Sequence, residues 1–193
     1  MDAHGAVDHP SAWVTRFASL IPSGEVLDLA CGSGRHARLL AAMGRTVLAV
    51  DRDTDALAKI AGPNITVLQH DLEQDTGAGI SWPFAENRFA GIVVTNYLHR
   101  PLFPSILASL APNGVLLYET FARGNGRLGK PSNPAFLLEP GELLEAVCAY
   151  SASPLQIIAF EDGYIDQPKP AMVQRICAAK IGRDAAPEIL RLN

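Results

Sequence analysis

Between residues 25 and 120, short apolar runs alternate with segments whose apolar residues recur at helical spacing, and this alternation constrains the fold more than any other feature. The runs over 25–30, 46–50, 65–69, 89–96 and 115–120 are too short for helices and read as buried strands. Between them, 35–43 places His36, Leu39, Leu40 and Met43 on one helical face, closed by Gly44. A short helix over 54–61 opens at Asp53 or Thr54 as cap, and Leu102, Phe103, Ile106, Leu107 and Leu110 share another face. Strands joined through helices make right-handed crossovers, hence a mainly parallel sheet with helices on both faces.

The end of the chain breaks this rhythm. After a helix from Pro140 to Tyr150, two strands over 155–160 and 172–181 are separated only by a polar segment, and they most simply form a hairpin. The predicted fold class is therefore α/β: a single doubly wound Rossmann-like domain whose seven-stranded, mostly parallel sheet carries an antiparallel C-terminal hairpin strand. Residues 1–24 form an N-terminal helical segment, with Trp13, Phe17 and Leu20 at helical spacing before Pro22-Ser23-Gly24, and it is a candidate lid. Residues 25–193 form the domain proper. The stretches 77–87 and 123–134 read as loops, and Pro112-Asn113-Gly114 as a turn.

Composition excludes several classes. With 193 residues, 48% hydrophobic and 19% charged, the chain has the make-up of an ordinary globular domain. Its net charge of −4 argues against nucleic-acid binding, which favours a basic excess. Three cysteines without a C-x-x-C pair suit neither a disulfide framework nor a zinc site, so no metal is expected. The N-terminal stretch, with Asp2, His4, Asp8 and His9, lacks a signal-peptide core, and no run reaches the length of a membrane span. The expected setting is the cytoplasm, as a monomer or homodimer.

In open parallel sheets, ligands bind beyond the carboxyl ends of the strands. There the chain places Asp28, the loop Ala30-Cys31-Gly32-Ser33-Gly34, Asp51 with Arg52, and Asp71 with Leu72. Asn96, Tyr97, Leu98 and His99 follow the fourth run, and Glu119 and Thr120 end the fifth. The pattern G-x-G-x-x-A and a carboxylate after the second strand suit a dinucleotide or another adenosine-bearing cofactor. Asp28 separates the two: a carboxylate beside the loop repels a pyrophosphate but favours an ammonium or sulfonium group.

With these residues the sequence resembles the class I S-adenosylmethionine-dependent methyltransferases, through 26–34, Val50-Asp51, His70-Asp71-Leu72, 89–98, 110–116 and the final hairpin. Among these it is most similar to the bacterial tellurite-resistance-like small-molecule enzymes, through the glycine- and proline-rich segment 126–138. The resemblance implies S-adenosylmethionine as cofactor. Asp28 would contact its methionine amino group, and Ala30, Cys31, Gly32 and Gly34 would let the backbone approach. Asp51 and Arg52 would lie at the ribose, Asp71 and Leu72 at the adenine, and Asn96, Tyr97 and Leu98 on the methyl-transfer side.

For the acceptor, a small molecule, the sequence offers His99 as a candidate general base and Trp13, Arg100, Tyr118 and Arg123 as candidate substrate contacts. Asn96-Tyr97-Leu98-His99 is not the Asn/Asp-Pro-Pro-aromatic arrangement of enzymes that methylate base or amide nitrogens, which again disfavours nucleic acid. Two other readings remain at this stage. One is an NAD(P)-dependent oxidoreductase, from the glycine pattern and Asp51; the other is a non-catalytic methyltransferase-fold binding protein.

Overall fold

The central strands form because β-branched and aliphatic residues run on without polar interruption, which suits a sheet covered on both faces. In the computed structural model, which describes residues 9–74, 81–150 and 155–181, β4 (Phe89–Thr95) is buried at every position. It lies beside β1 (Glu25–Leu29), and the seven-stranded sheet has the order β3-β2-β1-β4-β5-β7-β6. β2 (Thr46–Asp51), β3 (Ile65–Gln69) and β5 (Leu110–Phe121) complete the parallel part. β7 (Ala171–Ala179) pairs antiparallel with both β5 and β6 (Gln156–Ile165), the hairpin expected from the missing crossover helix.

The period of two along the strands divides the core. Leu27, Leu29, Ile92, Val94 and Leu116 face α4 (Phe103–Ser109) and α5 (Glu142–Cys148), meeting Ile106, Leu107, Leu143 and Val147. Val26, Val47, Ala49, Val93 and Leu117 face the other way, onto α1 (Ala12–Phe17), α2 (Arg35–Ala42) and α3 (Thr54–Leu57). Ser11 caps α1 by accepting from the Trp13 amide at 3.1 Å, and Trp13, Val14 and Phe17 are buried against the sheet.

Several boundaries differ from those the sequence suggests. α3 covers Thr54–Leu57 only: Asp53 caps its first turn, and past Ala58 the chain tightens into i→i−3 bonds, from the Lys59 amide to Ala56 O and from the Ile60 amide to Leu57 O. Pro112-Asn113-Gly114 does not end a strand; it is absorbed as an irregularity in β5, where the pairing jumps from Phe89–Leu110 to Gly91–Val115. Pro140 lies outside α5, whose cap is Gly141 at φ 74°, its amide bonded to Asp162. The stretch 123–138 is folded: two 3-10 turns, Asn125–Arg127 and Pro134–Phe136, are tied down by Asn125, which donates to Pro131 O and accepts from the Met172 amide. His4 and residues 77–80 lie outside the described residues.

Candidate functional site

The strand order reverses between β1 and β4, and the crevice at their carboxyl ends is where a doubly wound sheet binds ligand. Its floor is the loop after β1. Ala30, Gly32 and Gly34 have φ of 51°, 54° and 78°, a left-handed run that bends the chain from strand into α2. A Cβ at Gly34 would come within 2.7 Å of the Ile60 side chain, whereas one at Gly32 would meet no protein atom within 4 Å, so the loop surface at Gly32 is open. The Gly32 amide donates to Asp51 Oδ2 at 2.8 Å, and the Asp53 amide to Asp51 Oδ1 at 2.9 Å. Two backbone bonds thus aim the carboxylate while leaving lone pairs for a ligand's hydroxyls.

Asp51 lines a cavity of about 180 Å³ with Ala30, Arg52, Asp71, Leu72 and Tyr97. His70 and Glu73, which the sequence does not single out as ligand contacts, line it too. Asp71 is held by accepting from the Glu73 amide at 3.0 Å, and Leu72 beside it is buried in the core, leaving an apolar wall. Arg52 pairs with Glu73 at 3.9 Å, so this wall keeps a carboxylate excess. That set of acceptors fits the hydroxyls and exocyclic amine of an adenosine and resists a pyrophosphate.

Beyond β4, Asn96 turns at φ 56°, its amide bonded to Glu119 O at 2.9 Å. The Tyr118 hydroxyl, buried, donates to Tyr97 O at 2.9 Å. Tyr97 and Glu73 also line a second cavity of about 220 Å³, with Leu98, Phe121, Pro131 and Phe136. Asn96 and Phe121 line both this one and a third, of about 370 Å³, between the chain before α1, the end of β5 and the β6–β7 turn. The second cavity thus shares Glu73 and Tyr97 with the first and Asn96 and Phe121 with the third.

The other candidate residues are spread around this crevice. Asp28 faces α2, 1% exposed, and its Oδ2 accepts from the Ala37 amide at 2.8 Å; burial raises its pKa to about 7 against the help of that bond and of Arg35. Cys31 is buried, and burial pushes its thiol well above the usual range, which disfavours a thiolate. Trp13 is core, its Nε1 bonded to Ile176 O, and Tyr118 supports Tyr97 from below. Arg100 spends its guanidinium on both oxygens of Glu142 and on the carbonyls of Ala135 and Leu137. Arg123 pairs with Glu139, and His99 precedes the turn Arg100–Leu102; neither lines these three cavities. Among the described residues no group of His, Cys, Asp and Glu gathers to hold a metal, and no helix is long and apolar enough to cross a membrane.

His36, seen in sequence as an apolar-face residue, joins a buried chain of bonds. Its Nε2 accepts from the Ser11 amide at 3.0 Å, which fixes the proton on Nδ1, facing Thr95 Oγ1 at 3.4 Å. Burial and Arg35 lower its pKa to about 3, so the ring stays neutral. Ser11 Oγ in turn donates to Glu119, linking α1 to β5 at the edge of the third cavity.

A seven-stranded sheet of this order, mostly parallel and ending in antiparallel strands, is the fold of solved S-adenosylmethionine-dependent methyltransferases. In agreement, residues 26–114 match the family model described as a methyltransferase domain. YqeM of Bacillus subtilis, a protein with a provisional methyltransferase name, is 30% identical over 131 residues, 61% of this chain and 49% of that protein. Protein-L-isoaspartate O-methyltransferase 2 of Rhodopseudomonas palustris is 32% identical over 117 residues, 60% of this chain and 52% of that protein. The chain thus spans about half the length of the curated relatives it matches. Among solved structures, TehB from Haemophilus influenzae superposes with a TM-score of 0.66 at 20% identity, over 89% of this chain and 62% of that one. A methyltransferase from Methanosarcina mazei does so at 0.66 and 16%, over 90% and 99%. At these identities the likeness is one of fold, and it does not single out the tellurite-resistance-like group.

Proposed function

We propose that this protein transfers a methyl group from S-adenosylmethionine to a small-molecule acceptor, in the cytoplasm. The observation that carries the reading is Asp51, aimed by two backbone amides into a cavity lined by three carboxylates, Asp51, Asp71 and Glu73, against one guanidinium, Arg52. In it Asp51 accepts from the ribose hydroxyls, Asp71 from the adenine amine with Leu72 against the ring, and the open backbone at Gly32 lies along the methionine part. When bound, the cofactor supplies a methyl carbon on a sulfonium, which an acceptor lone pair takes as the carbon–sulfur bond breaks and sulfur keeps the bonding pair.

What the chain contributes is placement. Tyr97, supported by Tyr118, and Asn96, pinned by Glu119 O, separate the cofactor side of the crevice from the acceptor side. Holding two reactants in line supplies up to about 7–11 kcal/mol of the barrier by itself. No strong base is required of the protein where the acceptor atom already carries a reactive lone pair.

Calorimetry with S-adenosylmethionine and with NAD tests the reading. S-adenosylmethionine binds, and Asp51→Ala weakens it about tenfold or more, the scale of hydrogen bonds to a charged group. Binding of NAD in its place would sink the proposal and restore the oxidoreductase alternative.

A further inference from the structure

The third cavity, of about 370 Å³, has a composition that the methyltransferase reading leaves unused. Its wall holds Arg35, Lys169 and Arg175 against one carboxylate, Glu119, in a chain whose net charge is −4. Glu119 is already committed: one oxygen accepts from the Ser11 hydroxyl at 2.9 Å, the other from Arg175 at 3.4 Å. Arg175 is shared with Glu161 at 2.6 Å, and Arg35 is engaged with the His9 carbonyl. Lys169 differs from both. Among the described residues its ammonium has no carboxylate partner, and its one contact is the face of Phe121, 5.9 Å from the ring centroid.

Lys169 is exposed at the mouth of the cavity. It stands in the β6–β7 turn as Gln167-Pro168-Lys169-Pro170, where a proline on each side restricts the backbone. Beneath it the wall is apolar, with Phe121, Ile165, Pro168 and Val173. A cation at the rim of an apolar floor is how a pocket recognises an amphipathic anion, since the charge orients the ligand and the floor supplies the area. The wall also includes Asn96, which lines the second cavity as well.

Building on the methyltransferase reading, we infer that the acceptor is a small organic acid: an apolar or aromatic body lying on Phe121 and Val173, its carboxylate held by Lys169, its reacting atom toward Asn96. The bond changes are those of the methyl transfer described above; the inference names which acceptor is held.

Three near-isosteric probes test it on the full chain, by calorimetry with and without S-adenosylhomocysteine: 4-hydroxyphenylacetate, its amide, and tyramine. The acid binds about tenfold or more tightly than the amide, the scale of a hydrogen bond to a charged group, and tyramine binds weakest. Lys169→Glu removes that preference, Lys169→Arg retains it, and neither changes the affinity for S-adenosylhomocysteine. Equal binding of acid and amide, an acid affinity indifferent to Lys169→Glu, or no binding of any probe would overturn the inference while leaving the methyltransferase reading intact. Acid selectivity that depends on Lys169, together with no binding of S-adenosylhomocysteine, would support the anion site and overturn the methyltransferase reading instead.

Discussion

Asp28 and Asp51 lie near the carboxyl ends of neighbouring strands, yet the register gives them different work. Asp28 lies in β1 on the α2 face, where its carboxylate bonds the Ala37 amide out of contact with water; Asp51 lies one residue past the buried part of β2 and lines the cavity. Burial raises the Asp28 pKa from 3.8 to about 7, and the sign of its effect on stability follows. A folded-state pKa above the unfolded one contributes stability that is fully present below about 3.8 and lost as the pH rises through about 7. Asp28→Asn, which can still accept from Ala37, matches the wild type in urea midpoint at the acid end. By about pH 8 it is the more stable by on the order of a few kcal/mol. A gap that does not change with pH would mean that Arg35 keeps the carboxylate ionised in the fold.

At the scale of elements, the stretch 123–138 is the instructive case. Three glycines and two prolines between 123 and 134 read as a surface loop, and the residues are indeed outside regular helices and strands. What folds it is contributed from elsewhere: the Met172 amide donates to Asn125, and Arg100, in the turn after β4, bridges Glu142 of α5 to the Ala135 and Leu137 carbonyls. The wall formed by Pro131 and Phe136 therefore depends on a residue some thirty positions upstream. Arg100→Ala lowers stability by about 1–2 kcal/mol, a modest figure because the guanidinium is over a third exposed. It also raises hydrogen exchange at 135–139 above that of the sheet. Arg100→Lys does not restore protection, since an ammonium lacks the fork that serves two carbonyls and a carboxylate together. Exchange unchanged in both variants would refute Arg100 as the anchor.

At the scale of the molecule, the crevice exists because β1 and β4 are neighbours while their crossovers leave in opposite directions. In the proposed function the cofactor bound there touches the loops after β1, β2, β3 and β4, and a ligand that binds only the folded state stabilises it. S-adenosylhomocysteine at a hundredfold excess over its dissociation constant adds about 2.7 kcal/mol, which for a domain of this size raises Tm by about 5–10 °C. NAD at the same concentration leaves Tm unchanged. The reverse pattern in a thermal-shift measurement would reject the assignment of the crevice.

The sheet, and the strand ends that line the first cavity, were legible in the primary structure. Strand runs, crossovers and the closing hairpin are written in local periodicity, and Asp51, Asp71 and the glycine loop stand at strand ends, where position in the chain is also position in space. Only the tertiary structure decided the acceptor end. Whether Tyr118 and Trp13 meet a ligand or the core, and whether Arg100 meets a ligand or Glu142, depends on which face of the sheet each strand presents and on what the chain brings over it later. Lys169 and Phe121 are far apart in sequence and meet because β7 returns antiparallel beside β5. Contacts between residues distant along the chain are fixed by strand register and packing, and local pattern carries no record of them.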